Sequence, residues 1–226
     1  MNDCRAVLWD MDGTLINSEE YHWASWRDAL RAEGVTITHD QFVATFGQRN
    51  DSILTEWLGM PSRAQIERIA NVKEEIYRQL VRERGIEPLP GVARWVRLLH
   101  EQGWLQAIAS AAPRKNIEVV LDALCAAHRF QTIVSAEDVH HGKPDPEVYL
   151  IAASRLDVPT GRCIVVEDAA VGVAGARAAG MKTIGVTHNR AHLLADLVVP
   201  WLDRLDTQAF ATLLDGASLL PASAGA

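Results

Sequence analysis

The chain has 226 residues, 48% of them hydrophobic and 23% charged, and carries a net charge of −7. That length suits one large α/β domain or a core with a smaller insert, and an acidic chain with no basic arm or patch is not built for nucleic acid. No apolar run is long enough to span a bilayer and the first residues lack a signal peptide's basic and apolar regions, so no membrane partner and a cytoplasmic location are expected. In chain order, residues 5–9 (Arg-Ala-Val-Leu-Trp) form a short apolar run that reads as a buried parallel strand. It stops at Asp10, and Met11, Asp12, Gly13 and Thr14 follow at once. A polar Asp-Gly turn after a strand is common, but two acids this close repel each other unless a cation or a proton sits between them.

From there to Gly85 the pattern is helical. Asn17-x-x-Glu20 resembles a capping box, with Trp23, Trp26 and Leu30 at helical spacing and Gly34 placed to end the helix. A short helix is predicted over 39–45 and a third from about Asp51 with Ile53, Leu54, Trp57 and Leu58. Pro61-Ser62-x-x-Gln65 opens a fourth, on which Ile66, Ile69, Val72, Ile76 and Leu80 form one stripe. Residues 17–85 are therefore expected to form a separate helical lobe. Residues 88–91 (Pro-Leu-Pro-Gly) punctuate the return, after which strands and helices alternate. Helices are predicted over 92–102, 114–126, 146–156 and 170–179, and strands over 105–109, 131–134, 163–166 and 182–186. Cys4, Cys125 and Cys163 are spaced for neither a disulfide framework nor a zinc site, and Cys163, which opens an apolar run, is expected simply to be buried. The small-residue tail from Ser218 is expected to be disordered.

Repeated βα units imply an α/β fold: a Rossmann-like parallel sheet with helices on both faces, over 1–16 and 86–226, with the all-α insert over 17–85. Ligands of such sheets collect at the carboxyl ends of the strands. Asp10 and Asp12 lie just past the first strand, Ser110 past the second and Glu167-Asp168 past the fourth, with Lys143 in a loop of the same edge. Four acids at one edge need a hard cation, and oxygen-only ligands favour Mg²⁺. A hydroxyl and an ammonium beside that cation suit a phosphate group. Solvated loop acids are a fair explanation for any one of the four, and a poor one for all of them.

Asp10-x-Asp12-Gly13-Thr14, Ser110 after an apolar strand, residues 142–146 (Gly-Lys-Pro-Asp-Pro), and Val165-Val166-Glu167-Asp168 together resemble the four motifs of the haloacid dehalogenase superfamily, in order and spacing. The helical insert resembles that superfamily's cap, and within it the chain looks most like the β-phosphoglucomutase-like subfamily. The resemblance implies that Asp10 attacks phosphorus and becomes an aspartyl phosphate, and that Asp12 serves as general acid and then base. It implies Mg²⁺ held by the Asp10 carboxylate, the Asp12 carbonyl and Asp168 with Glu167 beside them, and phosphate held by Ser110 and Lys143 with Gly13, Thr14 and Ala111. His22, Arg49 and Lys73 match cap positions that meet the substrate, and Lys115 and Asn116 match a substrate loop. The segment 111–113 is a residue longer there than in the mutases, which leaves Arg114 and Lys115 as alternatives. The implied activity is Mg²⁺-dependent hydrolysis of a small phosphorylated metabolite, a sugar phosphate. A β-phosphoglucomutase-type transfer and a non-catalytic binding protein are the alternatives. No coiled coil or swapped element is evident, so a monomer is expected.

Overall fold

The computed structural model describes residues 4–188 and 192–216, so the tail from Ser218 lies outside the described residues. Strand β1 (Ala6–Trp9) has no exposed residue. Val7 and Trp9 enter one apolar cluster and Ala6 and Leu8 the other, which is why the run is continuously apolar rather than alternating. With β2 (Leu105–Ala109), β3 (Thr132–Val134), β4 (Cys163–Glu167), β5 (Lys182–Val186) and β6 (Leu197–Val199) it forms a parallel sheet of order β3-β2-β1-β4-β5-β6. The direction of the strand order reverses between β1 and β4, and the crevice at their carboxyl ends is where such sheets bind ligands. Strand β6 was not expected from the sequence. It is three residues long with Val198 exposed, too short for a periodic signal.

Five helices separate β1 from β2: α1 (Glu19–Arg31), α2 (His39–Thr45), α3 (Asn50–Leu58), α4 (Arg63–Arg84) and α5 (Val92–Glu101). The first four close around Trp26, Leu30, Phe42, Leu54 and Ile69 and form a cap. Helix α5 belongs beneath the sheet, where Val92, Trp95 and Leu99 join the cluster of Val7 and Trp9. That face is completed by α6 (Arg114–Ala123) and α9 (Ala209–Leu214), and the other by α7 (Glu147–Leu156) and α8 (Ala170–Ala178). The insert leaves and re-enters the core side by side: Ile16 bridges to Pro88, and the Leu89 N–H donates to the Leu15 carbonyl at 2.9 Å.

Two local expectations need correction. The N-cap of α1 is Ser18 rather than Asn17, and its hydroxyl does not cap the helix. It donates instead to Asp12 Oδ1 at 2.5 Å. Of the expected stripe, Ile69 is buried and Ile66 and Ile76 pack on the cap core, but Val72 is 44% exposed, and the buried face of α4 also carries Lys73, Glu74, Tyr77 and Val81. Two charged residues can occupy that face because they are hydrogen-bonded there, as buried charges must be. The predicted start of α4 does hold, with the Gln65 N–H donating to Ser62 Oγ at 3.2 Å.

Candidate active site

Strand β1 ends where its last sheet bond is made, from the Asp10 N–H to the Val166 carbonyl at 3.0 Å. The chain then folds back on itself. The N–H groups of Leu15 and Ile16 donate to the Met11 carbonyl at 2.9 and 3.2 Å, and the Gly13 N–H donates to the Ile16 carbonyl at 2.8 Å. Gly13 sits at φ +86°, and a Cβ there would overlap the Asp168 carboxylate, so the turn admits glycine on both counts. Thr14 donates its hydroxyl to Asp168 Oδ1 at 3.4 Å, and His188, just past β5, donates its Nε2–H to the Gly13 carbonyl at 2.6 Å.

Lys143 bridges the two sides of the crevice. Its ammonium donates to Asp10 Oδ1 at 2.6 Å and to Glu167 Oε1 at 2.5 Å. Glu167 also accepts from the Tyr149 hydroxyl at 2.9 Å and the Ala169 N–H at 3.0 Å. Gly172 of α8 lies directly against Glu167, and a Cβ there would overlap its carboxylate. Burial pushes the Asp10 carboxyl well above the usual range, opposed by Lys143 and reinforced by Glu167 and Asp168. Burial alone would pull Lys143 down, but Asp10 and Glu167 outweigh it and lift the ammonium above its ordinary value.

Asp10, Glu167 and Asp168 each bring an oxygen within 4.8 Å of the others. This site fits a divalent cation: three carboxylates lie together and one ammonium pairs with two of them, leaving an excess of negative charge, and the donors are all oxygen, as Mg²⁺ prefers. The Asp12 carboxylate stands outside that trio and turns to Ser18 and to His22 Nε2, the latter at 3.2 Å. Burial would raise Asp12, but His22, Ser18 and Lys73 outweigh it and hold it below its ordinary value. His22 is in turn stacked on Tyr77 at 4.3 Å, and its Nδ1 lies 2.9 Å from Lys73 Nζ.

A cavity of about 560 Å³ opens between the cap and this edge of the sheet. Of the residues expected at the site, Asp10, Asp12, Ser110, Ala111, Lys143, Glu167 and Asp168 line it from the core, and His22, Arg49 and Lys73 from the cap. Arg49 is the N-cap of α3, packs against Gly142 in the lysine's own loop, and keeps a buried Nη1 with no hydrogen-bond partner. The structure does not bring the other expected residues to the wall. Gly13 and Thr14 lie behind it, with the Gly13 N–H already committed to Ile16. Lys115 is not part of the lining, and Asn116 is fully buried, donating to Glu74 at 2.5 Å and accepting from Arg78 at 3.0 Å. Arg114 is held by the Ile133 carbonyl and Asp138 at 3.0 and 2.8 Å. Sequence reasoning missed Ser18, Glu74, Tyr149 and His188. Only Ser18 left a signal, a hydroxyl at a helix start six residues past Asp12.

An acid-rich crevice at the carboxyl edge of a parallel sheet, roofed by inserted helices, defines a capped α/β enzyme. This chain belongs to the haloacid dehalogenase-like hydrolase family, whose model matches residues 7–186. It is 33% identical to hexitol phosphatase B of Escherichia coli over 88% of this chain and 93% of that one. It is 29% identical to β-phosphoglucomutase of Bacillus subtilis over 86% of this chain and 88% of that one. Among solved structures, a variant of CbbY from Rhodobacter sphaeroides in complex with xylulose 1,5-bisphosphate superposes with a TM-score of 0.81 at 26% identity, over 88% of this chain and 95% of that one.

Proposed function

We propose that the chain is a Mg²⁺-dependent phosphatase of a small sugar or polyol phosphate, working through an aspartyl phosphate on Asp10. One observation carries this reading: the two acids of one short loop face the same cavity with opposite partners, Lys143 on Asp10 and His22 on Asp12. Asp10, Glu167 and Asp168 would hold the cation, which when bound offsets charge on the phosphoryl oxygens. Asp10 is the only acid of the trio that begins the loop bearing Asp12, so attack and proton transfer are set two residues apart.

Lys143 and Ser110 hold the phosphoryl oxygens. The Asp10 carboxylate attacks phosphorus, and the bond to the leaving oxygen breaks as that oxygen takes a proton from Asp12. The arriving phosphate is a like charge beside Asp12 and counters the depression of its pKa, which lets it carry that proton. Asp12, now a carboxylate, takes a proton from water, which attacks phosphorus and frees Asp10. Arg49, with a donor to spare, anchors the far side of the substrate, and the cap keeps bulk water out.

The likeness to a hexitol phosphatase supports hydrolysis, and so does the placement of Lys115 and Asn116 off the cavity wall. The presence of His22, Arg49 and Lys73 together on that wall favours a mutase as the second reading. Both are tested by following inorganic phosphate across a panel of phosphorylated sugars and polyols with and without Mg²⁺. Release that stops on chelation is expected. Conversion of β-glucose 1-phosphate to glucose 6-phosphate in the presence of glucose 1,6-bisphosphate, without comparable phosphate release, would overturn it in favour of the mutase.

A further inference from the structure

We infer that Glu74 is a positioning residue, which fixes Lys73 against His22 and so determines that the His22 ring proton sits on the nitrogen that faces Asp12. Glu74 lies on α4 and is 6% exposed, beside Lys73 at 2%. Its Oε1 accepts from Lys73 Nζ at 2.8 Å and from Asn50 of α3 at 2.7 Å, and its Oε2 accepts from Asn116 of α6 at 2.5 Å. A buried acid supplied with donors from two cap helices and one core helix is held in a single orientation, and it holds the lysine in turn.

The consequence follows from donor counting. An ammonium has hydrogens to give and nothing to accept with. Lys73 Nζ is 2.9 Å from His22 Nδ1, so Nδ1 must be the acceptor. In the neutral ring the proton then sits on Nε2, which faces Asp12 Oδ1 at 3.2 Å. His22 and Ser18 both engage Oδ1, which leaves Oδ2 as the Asp12 oxygen available to the reacting group. Without Glu74, Lys73 would lose the carboxylate it is ion-paired with, keeping the more distant Asp12 charge and the faces of Trp26 and Tyr77, at 5.1 and 5.7 Å. It would then lose its fixed place beside Nδ1, and His22 would be released to the other tautomer.

The kinetic side of this inference rests on the proposed role of Asp12, but the tautomer does not, so the test has two arms. In the first, nitrogen–proton correlation spectra of ¹⁵N-histidine-labelled protein are recorded without substrate. Wild type is expected to show His22 protonated on Nε2 alone. Glu74→Ala should give a mixture of tautomers, and Glu74→Gln, which keeps an acceptor for Lys73, should restore the Nε2–H form. A wild-type ring protonated on Nδ1, or an unchanged His22 signal in Glu74→Ala, would overturn the inference. In the second arm, Glu74→Ala should lower kcat for phosphate release by roughly ten- to a hundredfold with little change in KM. The same substitution in a His22→Ala background should lower kcat no further, although it lowers Tm in both backgrounds. An equal loss of kcat in both backgrounds would make Glu74 merely structural. If wild type releases no phosphate from any ester, the proposed function fails, and the spectra still decide the role of Glu74. Should Glu74→Ala not fold, Asn116→Ala removes the core-side donor and is read the same way.

Discussion

Asp10 and Asp12 are neighbours in sequence with opposite electrostatics. Asp10 is pushed up by burial beside two further acids, and Asp12 is held down by His22, Ser18 and Lys73 despite its burial. A divalent cation held by Asp10 and those two acids would oppose the rise and keep Asp10 an ionised nucleophile. Asp10→Asn keeps the shape and leaves Lys143 paired with Glu167. It should therefore reduce phosphate release by about a thousandfold or more with an unchanged circular dichroism spectrum, and substantial residual turnover would remove Asp10 from the nucleophile's role. Arg49 lines the cavity from the cap, beside the loop that bears Lys143. Arg49→Ala should raise KM for a sugar phosphate about tenfold or more while sparing a small aryl phosphate, because the truncated substrate never reaches the guanidinium. Equal losses on both substrates would mean that Arg49 supports the fold through α3 rather than the substrate.

At the scale of elements, the two serines at helix starts separate local stability from chemistry. Ser62 caps α4 in the ordinary way, and Ser62→Ala should cost about 0.5–2 kcal/mol of stability without affecting turnover. Ser18 starts α1 without capping it, so Ser18→Ala should leave Tm nearly unchanged and slow turnover through Asp12. Thermal melts and steady-state rates on the same two variants check both statements, and a reversed pattern would show that the hydroxyl of Ser18 serves the helix. These serines also show what the sequence made legible. Ser62 opens a capping signature, whereas the signature before α1 points to Asn17 and passes over Ser18, because which group a helix-start hydroxyl engages depends on what the fold brings beside it. Likewise Asp10, Ser110, Lys143 and Glu167-Asp168 could be gathered at one edge by counting strands, because strand ends are dictated by apolar runs. The buried face of helix α4 is wider than its apolar stripe because it also holds Lys73 and Glu74, a polar pair that hydropathy assigns to solvent. Asn116 was misplaced because its partners, Glu74 and Arg78, are 42 and 38 residues away and no local pattern records them.

Over the whole molecule, the same logic of distant partners fixes how the helices join the sheet. Asp138, just past β3, accepts from Ser135, from Arg114 of α6 and from Arg155 of α7 at 2.6, 2.8 and 2.6 Å. Burial would lift its carboxyl, but Ser135 and Arg155 outweigh it and hold it well below the usual carboxylate range. A carboxylate depressed in the folded state contributes stability above its unfolded pKa, near 3.9, and loses it as pH falls toward the folded value. Wild type should thus melt above Asp138→Asn at pH 7, with the gap narrowing by pH 3; a gap independent of pH would mean that the contact is not ionic. Six of the seven tryptophans divide between the two bodies of the fold, and the seventh, Trp201, packs on His188 at 4.1 Å. Trp9, Trp95 and Trp104 gather around Phe210 beneath the sheet, whereas Trp23, Trp26 and Trp57 belong to the cap. Of these only Trp26 lines the cavity, edge-on to Trp57 and under the Lys73 ammonium. Filling the cavity changes the solvent and the charge around one indole and leaves the core indoles as they were. The protein therefore carries a built-in optical gauge of occupancy: its intrinsic emission should shift on addition of a phosphate ester, and a Trp26→Phe variant should lose most of that shift.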